Sequence, residues 1–272
     1  MSKQTLILVE GEDKDVDLIK HLFEVYLPNS EKTIIVYKTD IYSLYAQIMD
    51  EEGDEFGDLL MHLREHEKDA SKKEIFNSRF NEVFLIFDFD PQDPLFTSEK
   101  LQRMMIYFND ATNTRRGRLY INYPMVESFF HIKSWNENQE DFNNRHATKY
   151  ELWHKKYKER VEAESCCTDI QQFDKDKFNK IIDMNLTKAL YLLNQPKFVP
   201  FECNADMLRR VSEVECCAWD EKGIVYVLNT CVLYMYENYP KKVILNVDDC
   251  SAKTSKESLN PLPEHKEKEN QQ

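Results

Sequence analysis

Residues Glu82–Pro91 read EVFLIFDFDP, and they decide the fold class. Val83 to Phe87 form an unbroken apolar run rich in β-formers, and Asp88 and Asp90 follow at its end. A continuous apolar run of this length suits a strand buried on both faces, as in the middle of a parallel sheet. In open α/β sheets the ligand crevice lies beyond the carboxyl ends of such strands. Two carboxylates one residue apart there point at one small volume. Like charges held that close need a cation, a shared proton or ample water. A hard divalent ion satisfies them best, because it prefers oxygen ligands and tolerates retained waters.

Outward from this strand the same grammar repeats. Thr5–Val9 (TLILV) reads as a first buried strand, ending in Glu10-Gly11. Asp13–Leu27 carries Val16, Ile19, Leu22, Phe23 and Tyr26 at helical spacing, and Pro28 stops it. Thr33–Tyr37 is a second strand and Ile41–Met49 a second helix. Asp50–Asp58 is an acidic loop without the ligand order of an EF-hand. Leu59–Phe80 is helical, and Ser98 caps a helix through Phe108. Arg118–Tyr123 is a fourth strand, and a helix begins at Met125. Strand and helix alternate throughout, which predicts an α/β, Rossmann-like parallel sheet with helices on both faces. Beyond it, Asp174–Leu193 and Ala205–Glu237 show long helical periodicity, and Tyr239–Val247 reads as a last strand. The expected organisation is a catalytic domain over 1–133, a mostly helical subdomain over 134–250 and a polar, disordered tail over 251–272.

Composition narrows the function. Apolar residues make up 42% of the 272, enough for a sizeable core, and the net charge is −13. Such a chain does not coat nucleic acid by electrostatics alone, although a local basic groove remains compatible with it. Five glycines and neither a G-x-x-x-x-G-K-[ST] nor a G-x-G-x-x-G pattern argue against a nucleotide-hydrolysing motor within this chain. Seven cysteines without C-x-x-C spacing point to reduced thiols in a cytoplasm and not to structural zinc. The N-terminus turns acidic too early for a signal peptide, and no segment is apolar enough for a membrane span.

Glu10, Asp88, Asp90 and, after Pro124, Glu127 all fall at the carboxyl ends of expected strands, so one cleft can collect them. Phosphodiester hydrolysis needs charge stabilised on the attacking and leaving oxygens, which one or two metal ions supply. In that chemistry Asp88 and Asp90 hold Mg²⁺ or Mn²⁺, Glu10 is a ligand or general base, and Glu127 is a further ligand or an anchor. Lys14, Arg115, Arg116 and Arg118 are candidates to touch phosphates. Lys155, Lys156, Lys158 and Arg160 interleave with Trp153 and Tyr157, which suits single-stranded nucleic acid, though a plain charged helix is the simpler reading.

LILVEGE and FLIFDFD resemble the Toprim family, the metal-dependent domain of topoisomerases, primases and several nucleases. Its hallmark is a glutamate ending the first strand, followed by glycine, with a downstream D-x-D. Glu10-Gly11 and Asp88-x-Asp90 match both. The resemblance spans about Thr5–Ile132 and is closest to RloB-like, OLD-type and PARIS-type antiphage defence proteins. In RloB-like proteins an N-P-x-F-E signature follows the fourth strand, and Asn122–Glu127 (NYPMVE) is similar with one extra residue. OLD-type nucleases place a second acid four positions after the first glutamate. Lys14 stands there, flanked by Asp13 and Asp15 as substitutes. The resemblance implies a nuclease in antiphage defence; DNA and structured RNA such as tRNA both suit its chemistry, and the acidic net charge points to a partner, an ATPase encoded elsewhere.

Two other readings compete. A haloacid-dehalogenase-like phosphohydrolase would use Asp88 as nucleophile with Asp248 and Asp249 as a late acidic pair, but its D-x-D strand is usually first. A non-catalytic module retaining a Toprim-like shell would act through a partner. His62–His66 matches H-x-x-E-H, a zinc-peptidase pattern, without an evident third ligand, and reads as a solvated helix face.

Overall fold

In the computed structural model the structure describes residues 4–49, 56–197 and 203–245. The parts of the acidic loop over 50–55, the end of the expected last strand (246–247), Asp248, Asp249 and the tail over 251–272 lie outside the described residues.

The chain runs β1 (Gln4–Val9), α1 (Lys14–Tyr26), β2 (Glu31–Val36), α2 (Ile41–Ile48), α3 (Leu59–His66), α4 (Ala70–Ile75) and β3 (Glu82–Asp88). It continues with α5 (Ser98–Tyr107), β4 (Asn109–Asp110), β5 (Gly117–Asn122), α6 (Gln139–Asn143), β6 (His146–Thr148), α7 (Lys149–Trp153) and α8 (Lys156–Glu164). Then come α9 (Lys175–Leu192), α10 (Ala205–Lys222), β7 (Ile224–Tyr226) and α11 (Leu233–Asn238). The main sheet has the order β2-β1-β3-β5-β4. Its first four strands are mutually parallel, and the two-residue β4 joins β5 antiparallel at the edge. This is an α/β fold with a mostly parallel sheet and flanking helices.

β3 is central, and Val83 to Phe87 are at most 4% exposed, as their unbroken apolar character requires. Its side chains alternate between two covers. Phe84 meets Tyr234 of α11, which stacks in turn on Phe23 of α1. A second group, α2, α5 and α10, packs together elsewhere on the sheet. The apolar core is continuous from Leu6 to Val243, so the later helices share it with the sheet. β6 and β7 pair separately, His146 opposite Tyr226.

Several local expectations change. Thr97, not Ser98, caps α5, its hydroxyl accepting the Lys100 N–H at 3.2 Å. The stretch 59–80 holds two short helices, because Asp69 ends one run and caps the next through the Ser71 N–H. The periodicity over 205–237 breaks at Gly223, whose φ of +66° ends α10 in the left-handed region open to glycine. After Met125 only a short 3₁₀ turn forms, Val126–Phe130. Residues 239–245 contain a 3₁₀ turn at Pro240–Lys242 and no strand among the described residues, since proline withholds a ladder donor there. No described helix is long and apolar enough to cross a membrane.

Candidate metal centre

The sheet order reverses between β1 and β3, which makes their carboxyl ends the crevice of the fold. Register levels those ends: Val9 pairs with Ile86, and Asp88 with Asn122 of β5. Glu10 follows directly. Its backbone N–H donates to Ile86 O at 3.2 Å, and its carboxylate accepts the Asp88 N–H at 3.0 Å. Asp88 Oδ1 accepts the Val126 N–H at 2.8 Å, which fixes the start of the 3₁₀ turn carrying Glu127. Glu127 is 2% exposed, and its Oε1 receives Lys14 at 3.4 Å and Lys158 at 3.0 Å.

A fourth carboxylate joins them. Asp15, in the first turn of α1, is buried with its side chain over Gly11. A Cβ at Gly11 would stand 2.5 Å from Asp15 Oδ2, so this glycine leaves room for a carboxylate. Of the two neighbours of Lys14, it is Asp15 that turns inward, while Asp13 is exposed. Asp90 holds a left-handed φ of +34°, a region aspartate tolerates better than most residues, and accepts Gln92 Nε2 at 2.8 Å.

The electrostatics follow from burial and crowding. Burial pushes Glu10 up to about 7, with the Asp15, Asp90 and Asp40 charges adding and the Asp88 N–H opposing. Burial and the Glu127 charge push Asp15 up to about 6. Asp88 lies well above the carboxylate range, first through burial and then through Glu10, Asp15 and Glu127. Asp90 is raised too, again mainly by burial. Glu10, Asp15, Asp88 and Glu127 face two pairing cations, Lys14 and Lys158, so the fully ionised cluster would carry two uncompensated negative charges.

A hard cation is tested by the donor set. All donors are carboxylate oxygens, and Asp15 Oδ1 and Glu127 Oε2 are buried without a hydrogen-bond partner. That unfilled acceptor capacity fits a divalent ion. Among the described residues, however, no three His, Cys, Asp or Glu side chains stand positioned to hold a metal ion. Glu10 is turned onto the Asp88 N–H and Glu127 onto its lysines.

Above the cluster lies a cavity of about 330 Å³, walled by Glu10, Asp88 and Asp90 on one side and by Glu151, Lys155 and Lys158 of the second half on the other. Tyr157 also lines it, and its hydroxyl meets His131 Nδ1 at 3.2 Å. His131 Nε2 reaches Glu164 at 2.9 Å. The Nε2–H donates to the carboxylate, so Nδ1 accepts from the tyrosine hydroxyl. Burial holds His131 neutral by pushing it down to about 4. Nothing in the spacing of Glu164, His131 and Tyr157 signals this relay, because the three come together only through the fold.

The other candidates lie elsewhere. Arg118 is the second residue of β5, at the opposite end of the sheet from the carboxylates. It is 2% exposed and bonds Glu237 at 2.9 Å. Arg115 pairs with Asp58 at 3.5 Å, and Arg116 lies 4.8 Å over the Tyr107 ring. Lys14 alone of the four stands in the site. The cations that join it there, Lys155 and Lys158, come from the basic and aromatic run of the second half. His62 and His66 stack at 4.1 Å, and His66 Nδ1 bonds His62 O at 3.0 Å. His62 is buried at 9% exposure and not solvated, which pushes its pKa down. Set beside protein-family models, curated proteins and solved structures, the chain matches none of them.

Proposed function

We propose that this chain is a Toprim-type, Mg²⁺- or Mn²⁺-dependent nuclease that hydrolyses phosphodiester bonds in DNA or RNA. The observation that carries this reading is the carboxylate set at the sheet's switch point, with Asp15 and Glu127 buried, Glu10 and Asp88 half-buried, and two negative charges in excess of its lysines. Glu10, Asp15, Asp88 and Glu127 would hold the ion, with Asp90 beside them. When bound, the ion would supply charge stabilisation for the phosphoryl oxygens. The chain's own residues do the rest. Lys155 and Lys158 line the opposite wall, where a phosphate would sit. Glu10, raised to about 7 by burial, gives up its proton when the carboxylates close on the ion. The relay from Glu164 through His131 fixes the Tyr157 hydroxyl beside the cavity.

The antiphage role rests on the resemblance of LILVEGE and FLIFDFD, the cytoplasmic setting on cysteines without C-x-x-C spacing, and an ATPase partner that restrains or delivers the nuclease on the acidic net charge. The test is cleavage of plasmid DNA, single-stranded DNA and total tRNA by the purified chain in Mg²⁺, Mn²⁺ or EDTA, alongside Glu10→Ala and Asp88→Ala. Metal-dependent cutting that both substitutions abolish is expected. Cutting that survives either substitution would overturn the assignment.

A further inference from the structure

Between two residues of the wall facing the carboxylates, Leu152 and Lys155, the chain carries an exposed aromatic side chain, Trp153. α7 is fixed at its start by a capping box, in which Thr148 Oγ1 accepts the Glu151 N–H and Glu151 accepts the Thr148 N–H. Leu152 is buried and anchors the helix, while Trp153, the next residue, is 62% exposed. Among the described residues the Trp153 ring meets no other ring and no cation. Neighbouring Tyr150 differs, since His154 packs against it at 4.5 Å and Lys156 lies 4.9 Å over its face. Lys155 follows, held at a left-handed φ of +54° and lining the cavity. It makes no ion pair among the described residues. Lys158 completes this wall, one turn into α8.

Duplex binding draws its affinity from many phosphate contacts along a broad basic surface. Arg115, Arg116 and Arg118 would have been part of such a surface, but they lie at the far end of the sheet, and the chain carries a net charge of −13. The cavity, about 330 Å³, is at the small end of ligand pockets, about the size of one nucleotide. Stacking on an aromatic ring is indifferent to net charge and requires a base free of its partner strand.

We infer that the site takes single-stranded nucleic acid, with one unpaired base stacked on Trp153 and the adjoining phosphates held by Lys155 and Lys158. This rests on the nuclease reading of the carboxylate centre and narrows its substrate. Sugar type is left to the experiment, because base stacking and phosphate pairing are shared by DNA and RNA.

The test is fluorescence anisotropy with labelled 12-residue single strands, one DNA and one RNA, and the corresponding duplexes, in EDTA so that binding is read without cleavage. Wild type is expected to bind at least one single strand tenfold or more tighter than its duplex. Trp153→Ala should weaken single-strand binding roughly 5- to 100-fold and leave the melting temperature unchanged, because the ring is exposed. Trp153→Phe, which keeps an aromatic face, should retain most of the affinity. Equal binding of single strand and duplex, wild-type affinity in Trp153→Ala, or no binding of either form would each overturn the inference. Cleavage in Mn²⁺ is then measured separately. Single-strand binding through Trp153 without metal-dependent cutting would remove the nuclease reading and leave this one. Cutting duplexes as fast as single strands would do the reverse.

Discussion

The Glu10 carboxylate accepts the backbone N–H of Asp88 at 3.0 Å, tying the ends of β1 and β3 together at the switch point of the sheet. One acidic side chain thus serves as a strand-end clasp and as a member of the carboxylate cluster. The two roles pull in opposite directions, since the N–H favours the carboxylate while burial favours the acid, and burial dominates.

Replacing Glu10 by glutamine separates these roles. Its folded value near 7 exceeds the ordinary 4.5, so between those pH values the folded chain holds a proton that the unfolded chain has released. The stability this contributes is complete below 4.5 and lost as pH rises through 7. At about 1.4 kcal/mol per tenfold change in acidity, the difference reaches about 3 kcal/mol at pH 8. Glutamine keeps an oxygen for the Asp88 N–H and carries no charge. In EDTA at pH 8, Glu10→Gln should melt several degrees above wild type, and the gap should close toward pH 5. Its cleavage activity should be lost. A lower melting temperature at pH 8 would mean that the clasp needs the charge.

Metal binding should release protons. Near pH 6 Glu10 is largely protonated and Asp15 about half so, given values of about 7 and about 6. A divalent ion takes only ionised carboxylates, so titration with Mn²⁺ at pH 6 should expel at least one proton per ion from Glu10, Asp15 and Asp88, and fewer at pH 9. Calorimetry in buffers of different ionisation enthalpy reads this directly. Binding without proton release at pH 6 would place the ion elsewhere. Chelation should lower the melting temperature of wild type and leave Asp88→Asn unmoved.

The strand ends were legible because the signal is local: Val83–Asp90 and Leu6–Glu10 each carry burial and chemistry in one short run. The alternation around them gave the parallel sheet for the same reason. What escaped is non-local. Asp13 and Asp15 both stood as substitutes for the expected acid, and only the turn of α1 over Gly11 selects between them by bringing Asp15 inward. Arg118 looked like a phosphate ligand by charge, yet Glu237, 119 residues away, neutralises it inside the fold. Lys155 and Lys158 looked like an ordinary charged helix until the second half folded over the sheet ends.

Arg118 therefore yields a prediction about stability. Its guanidinium bonds Glu237 at 2.9 Å where both side chains are largely buried, and Glu237 also accepts the Tyr120 hydroxyl at 2.7 Å. Arg118→Met would strand the glutamate, a change that typically costs about 3 kcal/mol or more. Denaturant unfolding should show that loss, while cleavage per folded molecule stays at the wild-type rate. A stable Arg118→Met protein with impaired cleavage would instead give the arginine a part in substrate binding.

Gly11 offers the sharpest test of how the second half of the cluster is built. Its backbone needs no left-handed conformation; what it provides is space, because a Cβ would lie 2.5 Å from Asp15 Oδ2. Asp15 is buried on a short side chain at the start of a rigid helix, so it can yield only by turning its carboxylate away. Gly11→Ala should then cost about 1–3 kcal/mol, as overpacking does. It should also weaken Mn²⁺ binding at least tenfold while Glu10, Asp88 and Asp90 remain in place. The paired variant Asp15→Ala makes the room that Gly11→Ala fills. Stability lost in Gly11→Ala should return in the double substitution, whereas metal affinity should not. Recovery of both would show that Asp15 merely occupies space, and failure to recover stability would show that the clash lies with the backbone.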